Sequence, residues 1–403
     1  MVSAKTKQIV KSTAPILAEH GETLTRHFYK RMFEHNPEVQ EFFNPSNQAK
    51  GAQQRALAGA ICAYATHIDN LEVLTDAVEL IAHKHASLQV KPEHYPIVGE
   101  NLLASIKEVL GEGATPEIID AWAEAYGFLA DIFIKREEEL YQQQKQALGG
   151  WNGFRQFRVE RKQPESDVIT SFYLKPTDGK RLPSFKAGQY ITVRMPTPYG
   201  YTTMRNYSLS GQEEGMYRIS VKRESGNPDG FVSTNLHAHI QEGDTLEVGP
   251  PCGNFVFHSP AEATRPIVFL AGGVGITPLL PQLREALAVS KEREVYFFHA
   301  TMSPQLQAFK HELEALAQAH KNLKVNYRYS APTDKDRTTL PAEQIGLIDT
   351  PYLKGMLPAT NADFYFCGPE PFMASIYKTL QQWQVPQDQI QFEFFGPQQA
   401  LTA

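Results

Sequence analysis

Cysteine is scarce in this chain. Its 403 residues include three, Cys62, Cys252 and Cys367, set too far apart for a CxxC, a CxxCH or a zinc-ligand spacing. A disulfide scaffold, a covalently attached c-type haem and a cysteine-held metal cluster are excluded, and a reducing cytoplasm is the expected compartment. Basic excess is lacking too. Lysine and arginine number 39 against 45 acidic residues, a net charge of −6. Neutralising phosphates takes clustered basic side chains, so a dedicated nucleic-acid binder is excluded. Long apolar runs are also missing. The N-terminal MVSAKTKQIVKSTAPILAEHGE is interrupted by Lys5, Lys7, Lys11, Glu19 and Glu22 and has no secretory apolar core. The uncharged stretch Pro266–Leu283 has nearly the length of a membrane span, but Gly272, Gly273, Gly275, Pro278 and Pro281 would compromise a helix through it. It reads as a buried strand followed by a glycine turn, with no membrane span.

What is present is ordinary globular material, 42% apolar and 21% charged, enough for two or three domains at about 150 residues each. Proline shows where they divide. Residues 1–150 hold 6 of the 27 prolines, and helix interiors exclude proline whereas strand ends and turns accept it. The first third is therefore expected to be helical and the rest sheet-rich. Helical spacing agrees in Leu24, Phe28, Met32 and Phe33, in Ala56, Leu57, Ala60, Ile61 and Tyr64, and in Ala121, Trp122, Ala125, Leu129, Ile132 and Phe133. Breaks are expected at Asn36-Pro37, at Asn44-Pro45, and around Pro92 and Pro96. The glutamine run 142–146, ending at Gly149-Gly150, reads as a polar stop with a flexible exit.

After residue 151 the period shifts towards two. Segments 157–160, 169–174, 190–193 and 217–221 read as strands of a small antiparallel barrel. From Ile267 onward apolar strands alternate with helices: IVFLA, a helix ending near Leu287, VYFFHA, a helix over Gln305–Ala319, VNYRYS, DFYFCG, a helix over Pro371–Gln382, and IQFEFF. This order implies a parallel sheet with helices on its faces. The expected domains are 1–147, all-α; 151–261, an antiparallel β-barrel; and 262–403, an α/β parallel sheet.

Two turns in the last part point to a ligand. Gly272, Gly273, Val274, Gly275, Ile276, Thr277 and Pro278 follow a strand and open a helix, where backbone N–H groups can hold a pyrophosphate. Cys367, Gly368 and Pro369 end another strand. Ligands of open α/β sheets sit beyond the carboxyl ends of the strands, so both turns are expected to face one crevice. With Arg205-Asn206-Tyr207-Ser208 and the upstream Gly188-Gln189-Tyr190 in the barrel, these motifs resemble the ferredoxin–NADP reductase superfamily. The resemblance implies FAD, its pyrophosphate clamped by Arg205, a tyrosine ring stacked on the isoalloxazine and Ser208 at the ring's N5 edge, with Tyr190, Asn206 and Tyr207 among the residues that bind it. It also implies NADH or NADPH as electron donor.

The helical segment is similar to a bacterial globin, so the whole chain resembles the flavohaemoglobins. His85, at the end of a helical stretch before Lys91-Pro92, matches the proximal ligand of a haem b, the metal site, with Lys84 beside it; His83 points to another face. Tyr29 and Gln53 match the distal polar pair, Leu57 follows one turn after Gln53, and Phe43 matches the aromatic at the haem edge. Tyr95 and Glu137 match the residues that hydrogen-bond the proximal histidine, with Glu138 as the alternative to Glu137. A carboxylate there makes the imidazole more electron-donating, and a distal phenol can donate to bound dioxygen. The C-terminal signature is Glu393, Phe394, Phe395, Gly396 and Pro397, in which Phe395 would cover the flavin and Glu393 would tune its potential.

The resemblance implies a nitric oxide dioxygenase: NAD(P)H reduces FAD, FAD reduces haem iron, and NO and O₂ become nitrate. A haem-linked NAD(P)H oxidase, an anaerobic NO reductase, a sensing globin with a maintenance reductase, and an oxygenase reductase without haem are the alternatives. It also allows an apolar or lipid ligand in the distal pocket, and a monomer. Three departures stand out. Asn206 replaces a frequent glutamine, Phe394 a frequent cysteine, and the loop Ser225–Gly230 is longer than in some relatives.

Overall fold

The computed structural model describes residues 2–44, 48, 51–198, 200–226, 229–258, 263–289, 291–357 and 360–396. Five long helices come first: α1 (Ala4–His35), α2 (Ala52–His67), α3 (Thr75–Leu88), α4 (His94–Leu110) and α5 (Pro116–Gln146). Hydroxyl caps begin the two longest, Ser3 accepting from Thr6 N–H and Thr115 from Ile118 N–H, with Pro116 in the first helical position. α1 ends at Asn36-Pro37, and a 3₁₀ turn, Pro37–Phe42, follows. Pro45 lies outside the described residues. The expected break around Pro92 and Pro96 falls at Pro92, between two helices, and Pro96 lies just beyond it. α3 stops at Leu88, where Gln89 turns left-handed at φ 63°, and α4 starts at His94. Pro96 thus sits in a first helical turn, where a missing N–H costs no helical hydrogen bond.

Leu24, Phe28, Met32, Tyr64, Trp122 and Ala125 are buried together between α1, α2 and α5. A second apolar cluster joins Ala82, Ala86, Tyr95, Phe133 and Leu140 to Tyr190 and Cys252 of the barrel, so the two parts share a core. The exit from α5 corrects the expectation. A Cβ on Gly150 would stand 1.9 Å from the Gln144 carbonyl oxygen, and Gly149 has φ 82°. The glycine pair makes a tight turn against the helix end.

The barrel is closed by β1 (Arg155–Pro164), β2 (Ile169–Pro176), β3 (Tyr190–Pro196), β4 (Thr202–Glu213), β5 (Met216–Lys222) and β6 (Thr245–Val248), in ring order β1-β2-β5-β4-β3-β6. Phe157, Phe172, Leu174, Ile191, Val193, Tyr217 and Ile219 fill its interior. β4, β6 and helix α6 (Phe231–Ala238) add to the strands read from sequence.

The last part is a five-stranded parallel sheet in the order β11-β10-β7-β8-β9, made of β7 (Ile267–Gly272), β8 (Val295–Thr301), β9 (Leu323–Tyr329), β10 (Asp363–Cys367) and β11 (Ile390–Glu393). It carries α7 (Ile276–Val289), α8 (Lys310–Ala319), α9 (Asp334–Arg337), α10 (Thr350–Met356) and α11 (Glu370–Gln382). α8 starts later than Gln305 because Phe309 is left-handed, φ 61°, and separates it from a 3₁₀ turn at Pro304–Leu306. The expected boundary at 261/262 lies outside the described residues. Strand order reverses at β7, which lies beside β10, so the switch point falls between the two ligand-type turns. No helix among the described residues is long and apolar enough to cross a membrane.

Candidate functional site

His85, near the end of α3, lies 2.8 Å through Nδ1 from Glu137 Oε1 and 3.1 Å from the Tyr95 hydroxyl. Tyr95 donates to the same Glu137 oxygen at 2.5 Å. Glu137 is 2% exposed, whereas Glu138 is exposed and bonded to Gln142. α3, α4 and α5 each supply one member of this triad. Burial, then the Glu137 charge, pushes the Tyr95 phenol far above its ordinary value, so it stays a donor. Because a carboxylate accepts, Nδ1 carries the proton, and the lone pair of His85 is left at Nε2. That donor set fits a haem iron.

Tyr29, on α1, is 6% exposed and packs edge-on against Phe28 and Phe43, with ring centroids 5.0 and 5.5 Å apart. Burial raises its phenol well above the ordinary range; a hydrogen bond with Gln53 opposes this without reversing it. Gln53 Oε1 accepts from Gln48 Nε2 at 3.1 Å. The neighbouring Gln54 is the glutamine locked into the fold, donating to Gln48 Oε1 at 2.7 Å. Leu57 and Phe43 are half-buried against the same apolar cluster as Tyr29. The structure thus gathers the expected residues into two groups, His85–Tyr95–Glu137 and Tyr29–Gln53–Phe43–Leu57.

β4, the strand carrying Arg205 to Ser208, docks on the helical part. Thr202 donates to the Glu41 carboxylate, Arg205 Nη2 to Asn44 Oδ1 at 2.8 Å, and Asn206 Nδ2 to Ser87 Oγ at 3.3 Å. Asn206 also accepts from Thr192 at 2.8 Å, so its shorter side chain is engaged on both sides. Two further links cross the seam. Gly253 N–H donates to His83 Nδ1 at 3.2 Å, and Gln144 to Cys252 Sγ at 2.9 Å. Burial pushes His83 down to about 4, which keeps its nitrogen an acceptor, and pushes the Cys252 thiol up to about 12. Sequence reasoning missed Glu41, Asn44 and Ser87, whose significance depends entirely on what they touch.

Tyr190 pairs in register with Ser208 across β3 and β4, and both are buried. Burial raises the phenols of Tyr190 and Tyr207. Glu393, closing β11, is pushed up to about 7 by burial, against the pull of Lys84. Lys84 donates to the Gly396 carbonyl oxygen at 2.7 Å. Glu393 Oε2 and Thr234 Oγ1 are buried without a hydrogen-bond partner, and α6 begins with no side-chain cap. Orphan oxygens and an uncapped helix start fit a flavin dinucleotide, which brings donors and a pyrophosphate. Phe394 stands perpendicular to Phe392 at 5.8 Å, while Phe395 is 51% exposed. Pro397 lies outside the described residues.

The two nucleotide-type turns touch each other. A Cβ on Gly275 would lie 2.1 Å from the Cys367 carbonyl oxygen, one on Gly272 would meet Phe372 at 2.9 Å and Pro369 at 3.0 Å, and one on Gly368 would meet Phe372 at 2.7 Å. These glycines make room for the neighbouring turn. Gly273, at φ 54°, is the member of the set whose Cβ direction is open. Thr277 Oγ1 donates to the Val274 carbonyl at 2.9 Å, tying the turn to the start of α7, with Ile276 and Pro278 on either side. Cys367 is fully buried in the apolar cluster, its thiol raised well above the ordinary value.

A helical haem pocket joined to a flavin barrel and a nucleotide-binding sheet defines a haem-containing, pyridine-nucleotide-dependent flavoprotein oxidoreductase. Three family models match in chain order: Globin over residues 26–133, Oxidoreductase FAD-binding domain over 156–257, and Oxidoreductase NAD-binding domain over 269–378. The chain is 50% identical to a flavohemoprotein of Rhodopirellula baltica over all of both chains. It is 51% identical to one of Halalkalibacterium halodurans, over all of this chain and 98% of that one. Among solved structures it resembles a flavohemoglobin from Malassezia yamatoensis with bound FAD and heme, at 28% identity and TM-score 0.85, over 98% of this chain and 100% of that one. The chain belongs to the flavohemoprotein family. Haem, FAD and a pyridine dinucleotide are its cofactors, and electrons pass from the dinucleotide to haem.

Proposed function

We propose that the chain is a nitric oxide dioxygenase, converting NO and O₂ to nitrate at the expense of NADH or NADPH. The observation that carries this reading is the single Glu137 oxygen that accepts from both His85 and Tyr95. An anionic partner on the proximal histidine strengthens its donation to iron, which suits oxygen activation better than reversible storage. The solved FAD/NAD-binding domain of a nitric oxide dioxygenase from Vibrio cholerae supports it, at 34% identity and TM-score 0.53 over 60% of this chain and 99% of that one.

Haem and FAD, when bound, supply the one-electron and two-electron chemistry. The chain's own residues orient and charge the site. His85 would offer Nε2 to the iron, with Tyr95 and Glu137 fixing the ring and its tautomer. Tyr29 keeps its proton and would be the hydrogen-bond donor on the distal side, with Gln53 orienting the hydroxyl. Arg205 and the start of α6 would hold the flavin pyrophosphate, Ser208 the flavin edge, and the turn Gly272–Pro278 the dinucleotide. Converting one NO and one O₂ to nitrate takes one electron, so a hydride serves two turnovers. A cytoplasmic location is part of this reading, and the unpaired cysteines are consistent with it.

Under air and saturating NO, nitrate is expected to form one-for-one with NO consumed, with one NAD(P)H oxidised per two NO. Nitrous oxide or superoxide as main product would overturn the assignment. Tyr29→Phe is expected to lower turnover severely while the Soret and flavin bands are retained.

A further inference from the structure

His299 lies on β8, opposite Ala271 of β7 in the parallel register, and is 1% exposed. Its Nε2 is 3.1 Å from the carbonyl oxygen of Gly273. A carbonyl only accepts, so Nε2 carries the proton. Nδ1 is buried without a partner, and burial lowers the ring's affinity for a second proton, to a value of about 4. The ring is therefore a neutral, single donor held against one backbone oxygen.

That oxygen belongs to the left-handed residue of the nucleotide-type turn, whose Cβ direction is open. In a trans peptide the C=O and the following N–H point in opposite directions. Drawing the Gly273 carbonyl in towards His299 sends the Val274 N–H the other way. A flip of this one peptide would turn an oxygen, in place of a hydrogen, towards anything resting on the turn. Ile276 N–H also bonds the Gly273 oxygen, but as part of the turn itself it moves with it. His299 is the anchor from outside the turn.

We propose that His299 is a positioning residue for the dinucleotide: by holding the Gly273 carbonyl, it aims the Val274 N–H at the pyrophosphate of NADH or NADPH. This rests on the reading of Gly272–Pro278 as the dinucleotide site. A glutamine in its place keeps an N–H donor, whereas a phenylalanine keeps the ring volume and loses the donor.

The test uses the full chain loaded with haem and FAD, following flavin reduction by rapid mixing against NADH concentration. His299→Phe is expected to raise the apparent Kd for NADH about tenfold, the scale of one buried hydrogen bond, with the limiting rate, thermal midpoint and Soret and flavin spectra retained. His299→Gln is expected to restore most of the affinity. If His299→Phe does not fold, His299→Met, which also lacks a donor, replaces it. An unchanged Kd in the donor-less variant, a glutamine variant as weak as it, or a fall in limiting rate without a change in Kd overturns the proposal. Gly273→Val is the control. An unchanged Kd there sinks the assignment of the turn itself, whereas a weakened Gly273→Val beside an unaffected His299→Phe sinks the role of His299 alone.

Discussion

Lys84 Nζ donates to the Gly396 carbonyl oxygen at 2.7 Å, tying the residue beside His85 to the segment that follows the last strand. Burial lowers the lysine below its ordinary value, and the Glu393 charge opposes this. One ammonium thus serves the helical part and the last strand of the nucleotide-binding sheet together.

The partner carboxyl gives a pH prediction. Glu393 moves from 4.5 to about 7 on folding. A carboxyl with a raised folded value takes up a proton on folding, so its contribution is full below 4.5 and lost as pH rises through about 7. Glu393→Gln, which cannot ionise, is expected to gain on the wild type in urea midpoint between about pH 5 and about pH 8. A constant difference across that range would refute the assignment.

Glu137→Gln keeps an acceptor beside His85 but removes its charge. The iron–histidine stretching band of the ferrous protein is expected to fall in frequency, because a less polarised imidazole donates less. Tyr95→Phe should move the band less, since Glu137 still accepts from His85, and should cost about 1 kcal/mol of stability.

Glycine substitutions separate two roles within one turn. Gly275→Ala drives a methyl into the Cys367 carbonyl and is expected to cost about 3 kcal/mol or more. Gly273→Ala meets open space and bears only the left-handed strain, about 1 kcal/mol. Calorimetry on the full chain distinguishes them, and equal costs would contradict the packing described.

Arg218 on β5 donates to both Glu312 oxygens on α8, at 3.0 and 3.2 Å, and its guanidinium stands 4.8 Å above the Phe309 ring. This pair fastens the barrel to the nucleotide-binding sheet. Burial alone would raise Glu312; the bonds and charges of Arg218 and Arg284 more than reverse it. The carboxylate therefore stabilises above its ordinary value and loses that effect as pH falls below it. Arg218→Met is expected to cost about 2 to 3 kcal/mol at neutral pH, the range for half-broken buried pairs with some exposure, and less in acid.

Much of the fold was legible where periodicity was long. α5 and the alternation from Ile267 onward have apolar spacing over many residues, and proline usage marked the change from helix to sheet. β6 was missed because four residues cannot establish a period, and β4 because Arg205, Asn206 and Tyr207 interrupt its alternation. Those are the residues expected at the flavin, so the function of the strand obscured its structure. Individual site residues came from resemblance, since nothing in the spacing of Tyr29, Tyr95 and Glu137 says that they matter. Arg218 and Glu312 are a basic residue on a strand and an acidic one on a helix until the fold sets them together. His299 had one signal, a histidine inside the apolar run VYFFHA, which calls for a partner to its buried nitrogen.

The contact between Gly275 and Cys367 has a consequence for altering coenzyme choice. Two backbone turns from distant parts of the sequence sit so close that neither has space for a methyl group on the other's side. They form one composite wall, and its halves cannot be exchanged separately. A nucleotide turn grafted from another reductase would have to arrive with its matching partner after β10.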